Sequence, residues 1–110
     1  LHRLNGRVPV WPMDPLPDEG SAVVEIYTRI YLRNAGMSGR KLRTRAELNR
    51  ALTGLGSKPT RLKFDPNDHQ TDALVTAAGM RAHLTTSRAF SPPGLSSELS
   101  QTEGWTFGIV

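Results

Sequence analysis

Cysteine is absent from the 110 residues. That excludes disulfides and thiolate-based zinc or redox sites. No run approaches the roughly 18 apolar residues of a membrane span. No charged-then-apolar signal peptide opens the chain, so no membrane partner is expected and a cytoplasmic location is. Also missing are a P-loop, a dinucleotide-binding glycine pattern, an HExxH zinc motif and paired-histidine zinc spacing. There is no nucleophile-elbow serine motif and no internal repeat. His2, His69 and His83 are scattered along the chain, which argues against a histidine metal site. Residue 1 is Leu rather than Met, and the chain reads as part of a longer protein.

What is present is an apolar fraction of 37% together with 10 Gly, within the range of one globular domain with a modest core. Charge is unevenly placed. The net value is +4, but ten basic residues fall between Arg29 and Lys63, opposed by one acid, Glu47. The remaining segments are net acidic. A basic middle beside acidic segments suits a polyanion held near a cation site; the alternative is an ordinary solvated basic surface.

Local patterning divides the chain into short elements. Leu1 to Asn5 reads as a helix end or loop. Arg7 to Pro12 reads as a short or edge strand, because two prolines cannot donate to a ladder. Pro12 to Gly20 is a loop. Ser21 to Tyr27 is the clearest strand, a nearly continuous β-branched apolar run of the kind buried on both faces of a parallel sheet. Glu25 interrupts it. A carboxylate there is costly unless paired, hydrogen-bonded or metal-bound, so Glu25 is a site residue, an ion-pair partner of a nearby Arg, or exposed at the strand end.

Thr28 to Asn34 reads as a short helix with Ile30 and Tyr31 inward and Arg29 and Arg33 outward. Thr44-Arg45-Ala46-Glu47 has the form of a capping box. The helix it opens carries Leu48, Leu52 and Leu55 as its apolar stripe and stops at Gly54 and Gly56. A third helix begins near Asn67 or Asp68, with Ala73, Leu74, Ala77, Ala78 and Met80 as its packing surface. Thr85 to Gln101 is polar and reads as a flexible segment, with one helical turn through Leu95, Glu98 and Leu99. Trp105, Phe107 and Ile109 alternate as in a short strand.

Asp68 and Asp72 stand one turn apart at the start of the third helix, where they repel. A divalent cation with oxygen ligands would relieve that repulsion. The competing account is a helix start favoured by the macrodipole. His69 beside them is a candidate for phosphate binding or proton transfer.

Four segments taken in order resemble a known family: Arg7-Val8-Pro9-Val10-Trp11-Pro12, Val23-Val24-Glu25-Ile26-Tyr27, Asp68-His69-Gln70-Thr71-Asp72-Ala73-Leu74 and Glu103-Gly104-Trp105-Thr106-Phe107-Gly108. They resemble the C-terminal half of a domain-of-unknown-function family of predicted ribonuclease-H-like nucleases. The likeness covers roughly residues 6 to 110. Thr28 stands where the family has Pro, and Met13 where it has an aromatic. The resemblance implies a partial ribonuclease-H-like α/β fold over residues 1–110, a short, mostly parallel sheet packed with two or three helices. An exposed sheet edge in such a part-fold would favour a homodimer.

The resemblance also implies metal-dependent phosphodiester hydrolysis. Glu25 and Asp72 would be catalytic, and Glu25, Asp68 and Asp72 would hold Mg²⁺ or Mn²⁺. Arg40, Lys41, Arg43 and Arg45 would hold nucleic-acid phosphates. The first strand of such folds carries an essential Asp that nothing before Arg7 supplies, so the isolated chain is expected to be inactive. The alternatives are a non-catalytic nucleic-acid-binding module and a structural or interaction domain.

Overall fold

Leucines recur at helical spacing in the middle of the chain, and side-chain caps open the two longer helices there. The computed structural model describes residues 8–16, 18–38, 40–86, 89–96, 98–99 and 104–109. Three helices form among them: α1 (Thr28–Asn34), α2 (Arg45–Gly54) and α3 (Asp68–His83). The chain divides into two compact units. One comprises Tyr27–Ser87 and holds all three helices; the other comprises Leu1–Ile26 and Arg88–Val110.

In the helical unit, both long helices start on capping boxes. The Thr44 hydroxyl accepts from the Glu47 amide at 3.1 Å while Glu47 reaches back to the Thr44 amide. Asn67 and Gln70 make the equivalent pair at 2.9 and 3.0 Å, so Asn67 rather than Asp68 is the cap of α3. Each box satisfies two amides that a helix start otherwise leaves without partners. A glycine at positive φ, Gly36 after α1 and Gly56 after α2, turns the chain out of each of the first two helices at little steric cost.

The core of this unit is Tyr31 and Leu32 from α1, Leu42 from the connection, Leu48, Ala51, Leu52 and Leu55 from α2 and its cap, and Val75 and Ala78 from α3. α3 packs against both other helices. Its buried residues are Thr71, Val75, Ala78, Gly79 and His83. The surface expected from the sequence is met in part: Ala78 is in the core and Leu74 and Met80 pack half-buried against it, but Ala73 and Ala77 face outward. Alanine is nearly indifferent to which side it occupies, so a run of small residues marks the packing face of a helix poorly. The fully buried Tyr31 ring lies over Gly79. Burial pushes its phenol above the ordinary tyrosine value.

The α/β expectation is not met. Among the described residues there is no strand and no sheet, so the protein is mostly helical there and the ribonuclease-H-like sheet is not formed. Extended pairing reduces to two isolated parallel bridges, Val10 with Val23 and Glu25 with Thr106. A ladder fails on both sides for identifiable reasons. After Val10 the chain folds back on itself: the Asp14 amide donates to the Val10 carbonyl at 2.9 Å, and the Asp14 carboxylate accepts from the Val10 amide at 2.8 Å. On the other side the Phe107 amide reaches the Glu25 carbonyl at 2.8 Å, after which the backbone turns at Phe107 and Gly108, Gly108 at φ 103°. With only single bridges beside it, the Ser21–Tyr27 run is not buried on both faces. Val23 and Val24 are half-buried, and Glu25, Ile26 and Tyr27 are exposed.

The second unit is held by aromatic rings. Trp11, Phe90 and Phe107 meet pairwise at centroid distances of 5.8, 5.6 and 5.0 Å. The Trp11 indole N–H donates to the Phe90 carbonyl at 3.2 Å. Within the polar segment expected to be flexible, Ala89 and Pro92 are buried. The reading of Leu1 to Asn5 lies outside the described residues, as do positions 87, 88, 97, 100 and 101 of that polar segment. Among the described residues no helix is long and apolar enough to cross a membrane.

Candidate functional site

Charge separates between the two units. The helical unit carries eleven Lys and Arg against four Asp and Glu; the other carries three against six. Within the helical unit the basic side chains gather at an open cleft of about 770 Å³ lined by Arg29, Arg40, Lys41, Arg43 and Arg50, with Glu47. Three elements build it. Arg29 comes from the outer face of α1 and Arg50 from that of α2. Arg40, Lys41 and Arg43 come from the connection between them, where Leu42, 3% exposed, inserts into the core. Leu42 anchors the strip while its neighbours stay exposed, an arrangement that fixes a row of cations without burying any.

The one acid at the cleft is occupied by its own helix. The Glu47 carboxylate accepts from the amides of Arg43 and Thr44, each at 3.1 Å, and from the Thr44 hydroxyl at 3.2 Å. These bonds, the Arg43 amide first, hold its pKa below the ordinary glutamate value. Glu47 is thus committed to capping. Among the described residues none of Arg29, Arg40, Arg43 and Arg50 takes part in a salt bridge. The Arg29 guanidinium lies 5.8 Å from the centre of the Tyr27 ring, within cation–π range.

The remaining sequence-derived candidates fall in different places. Arg45 is not on the cleft. Its backbone amide donates to the Asp65 carboxylate at 2.9 Å and its guanidinium to the Leu62 carbonyl at 3.1 Å, so it fastens the connection before α3 to the start of α2. Asp68 and Asp72 are exposed on the first two turns of α3. Lys41 Nζ lies 2.7 Å from Asp68 Oδ2, and Asp72 also acts on that ammonium. The cation beside the two acids is therefore supplied by the chain itself, from 27 residues upstream. Glu25 is exposed and belongs to the other unit. Among the described residues no three His, Asp or Glu side chains come together as a cation site would require. In the helical unit the carboxylates are two, one turn apart, and one is already bonded to the Lys41 ammonium, so a divalent cation there would have to displace that lysine and draw most of its oxygen shell from water.

Arg29 and Arg50 are cleft residues that no motif sets apart. Both belong to the basic run, but their convergence depends on how α1 and α2 sit against α3, which residue spacing does not record.

The Lys41–Asp68 pair makes a pH prediction. The hydrogen bond to Lys41, then its charge, holds the Asp68 carboxyl below the ordinary aspartate value; the same bond raises the Lys41 ammonium. The depressed carboxyl contributes stability above the ordinary aspartate range, lost as pH falls through its lowered value. The raised ammonium contributes below the ordinary lysine range, lost as pH rises through its raised value. Both partners are more than half exposed, so solvent and salt keep the contribution small. Carboxyl NMR titration is expected to show Asp68 below the usual aspartate value, moving up in Lys41→Met. An Asp68 titration that Lys41→Met leaves unchanged would remove the pair as its cause.

No family model matches the chain, and no curated protein or solved structure matches it.

Proposed function

We propose that the helical unit is a nucleic-acid-binding module that holds backbone phosphates in the basic cleft and performs no hydrolysis of its own. The observation that carries this reading is the convergence of four arginines, none in a salt bridge among the described residues, on one concave surface whose single acid is spent on a helix cap. Guanidinium groups suit this role because their planar fork of donors matches phosphate oxygens. Metal-dependent hydrolysis has less support: Asp68 is bonded to the Lys41 ammonium, and among the described residues no three His, Asp or Glu side chains gather as a cation site would require.

The test is fluorescence anisotropy with labelled oligonucleotides across a salt series, with and without EDTA. Binding is expected to weaken steeply with salt and to ignore EDTA. Each phosphate contact removed, by Arg40→Gln or Arg43→Gln, should lower the slope of log K against log salt by about 0.7–0.9. Both arginines are exposed, so thermal melting should be nearly unchanged. Absence of binding at low salt, or a salt slope that neither substitution alters, would overturn the proposal.

A further inference from the structure

Two aromatic side chains of the helical unit are left outside its core. Tyr27 is 52% exposed and Phe64 is 61% exposed, while the buried residues of the same unit are aliphatic apart from Tyr31, Thr71 and His83. Neither aromatic stands alone. Tyr27 lies under the guanidinium of Arg29, itself a cleft residue. Phe64 sits on a short segment fastened on both sides to one residue: Leu62 and Asp65 both accept from Arg45, two positions after Arg43 of the cleft. The backbone carrying Phe64 is thus tied to the start of α2 while its ring faces solvent.

Duplex DNA has no use for an exposed ring beside a row of cations, because its bases are already stacked on one another. A single strand presents free base faces, and proteins that take it combine a cationic groove for the backbone with aromatic rings on which bases stack. Arginine planes add to such stacks, and a guanidinium already lying against a ring extends the platform.

We infer that the cleft takes a single-stranded polynucleotide, with bases stacking on Tyr27 beside Arg29 and, where the strand runs on past the start of α2, on Phe64, while the arginines hold the phosphates. This rests on the nucleic-acid reading above and names its substrate class. The pairing of roles is specific: the arginines supply the salt-dependent part of binding and the rings a part that salt affects little.

The experiment compares a poly-pyrimidine DNA strand, the same sequence as RNA, and a duplex of equal length, against the full chain and its variants. The single strands are expected to bind more tightly than the duplex. Tyr27→Ala and Phe64→Ala should each weaken single-strand binding roughly five- to a hundredfold, and leave duplex binding and the salt slope unchanged. Tyr27→Phe, which keeps the ring, should retain the affinity. Preference between the DNA and RNA strands decides which polynucleotide is taken. Tighter duplex binding, or single-strand affinity that both alanine variants leave intact, would overturn the inference while the nucleic-acid reading stands. If neither strand nor duplex binds, both fall.

Discussion

Phe107→Ala is expected to destabilise its unit by about 3–5 kcal/mol, the range for truncating a fully buried phenylalanine. The ring is completely buried. It stands edge-on to Trp11, with an interplanar angle of 87°, and tilted at 39° to Phe90. Each ring pair of this kind adds roughly 0.5–1.5 kcal/mol beyond the area it removes from water. Among the described residues little else holds the unit. Its described backbone contains no strand, and its extended pairing is limited to two bridges. Removing the ring leaves a cavity beside Trp11 and Phe90, and a loss of about 3–5 kcal/mol is a large part of the stability of any small domain. The measurement is the near-ultraviolet circular dichroism and tryptophan emission of the variant, followed through a urea titration. Trp11 is 6% exposed, so its emission should shift to the red as it meets water, and the aromatic dichroism should fall. A variant with unshifted emission and an unchanged midpoint would show that the three rings are not the core of this unit.

The same cluster shows why half of the fold was hidden in the sequence. Trp105, Phe107 and Ile109 alternate like a strand, yet only Thr106 is paired, and the three side chains range from buried to exposed. Alternation describes what a strand would need; it does not supply neighbours. Val10, Val23, Glu25 and Thr106 pair one residue at a time because Asp14 draws the chain at Val10 into a turn and Gly108 redirects it after Phe107. The helical half was more legible because its signals are local. Thr44 with Glu47, and Asn67 with Gln70, act within four residues of themselves, and the leucines at 48, 52 and 55 lie on one face of a single helix.

The candidate site followed the same division. That the middle of the chain is basic is visible by counting. Which cations line a common surface is not: Arg45 turns to Leu62 and Lys41 to Asp68, contacts that span 17 and 27 residues. Asp68 and Asp72 looked like a cation site because i and i+4 acids repel, and the physical point was sound. The relief comes from a lysine that spacing cannot locate.

Gly79→Val is expected to cost about 3 kcal/mol or more, at or beyond the upper end for overpacking a well-filled core. Helix propensity alone gives the opposite sign, since glycine in a helix interior is less favourable than most residues by a few tenths to about 1 kcal/mol. Packing decides against it. A Cβ placed on Gly79 would lie 2.5 Å from Tyr31 Cβ and closer still to the ring carbons Cγ and Cδ1. Those atoms are at the base of the side chain, so a change in ring rotamer does not clear them all, and Tyr31 is wholly buried. Relief requires α1 and α3 to separate. That separation would loosen the contact on which Arg29 is mounted, so the cleft should open along with the core. For a unit of this size a loss of 3 kcal/mol corresponds to a fall in Tm of more than about 10 °C, readable in the far-ultraviolet helix signal. Gly79→Ala should fall between the parent and the valine variant, because the first added carbon already meets the ring. If Gly79→Ala instead raised Tm, propensity would outweigh the clash, and the close approach of α1 to α3 through Tyr31 would be wrong.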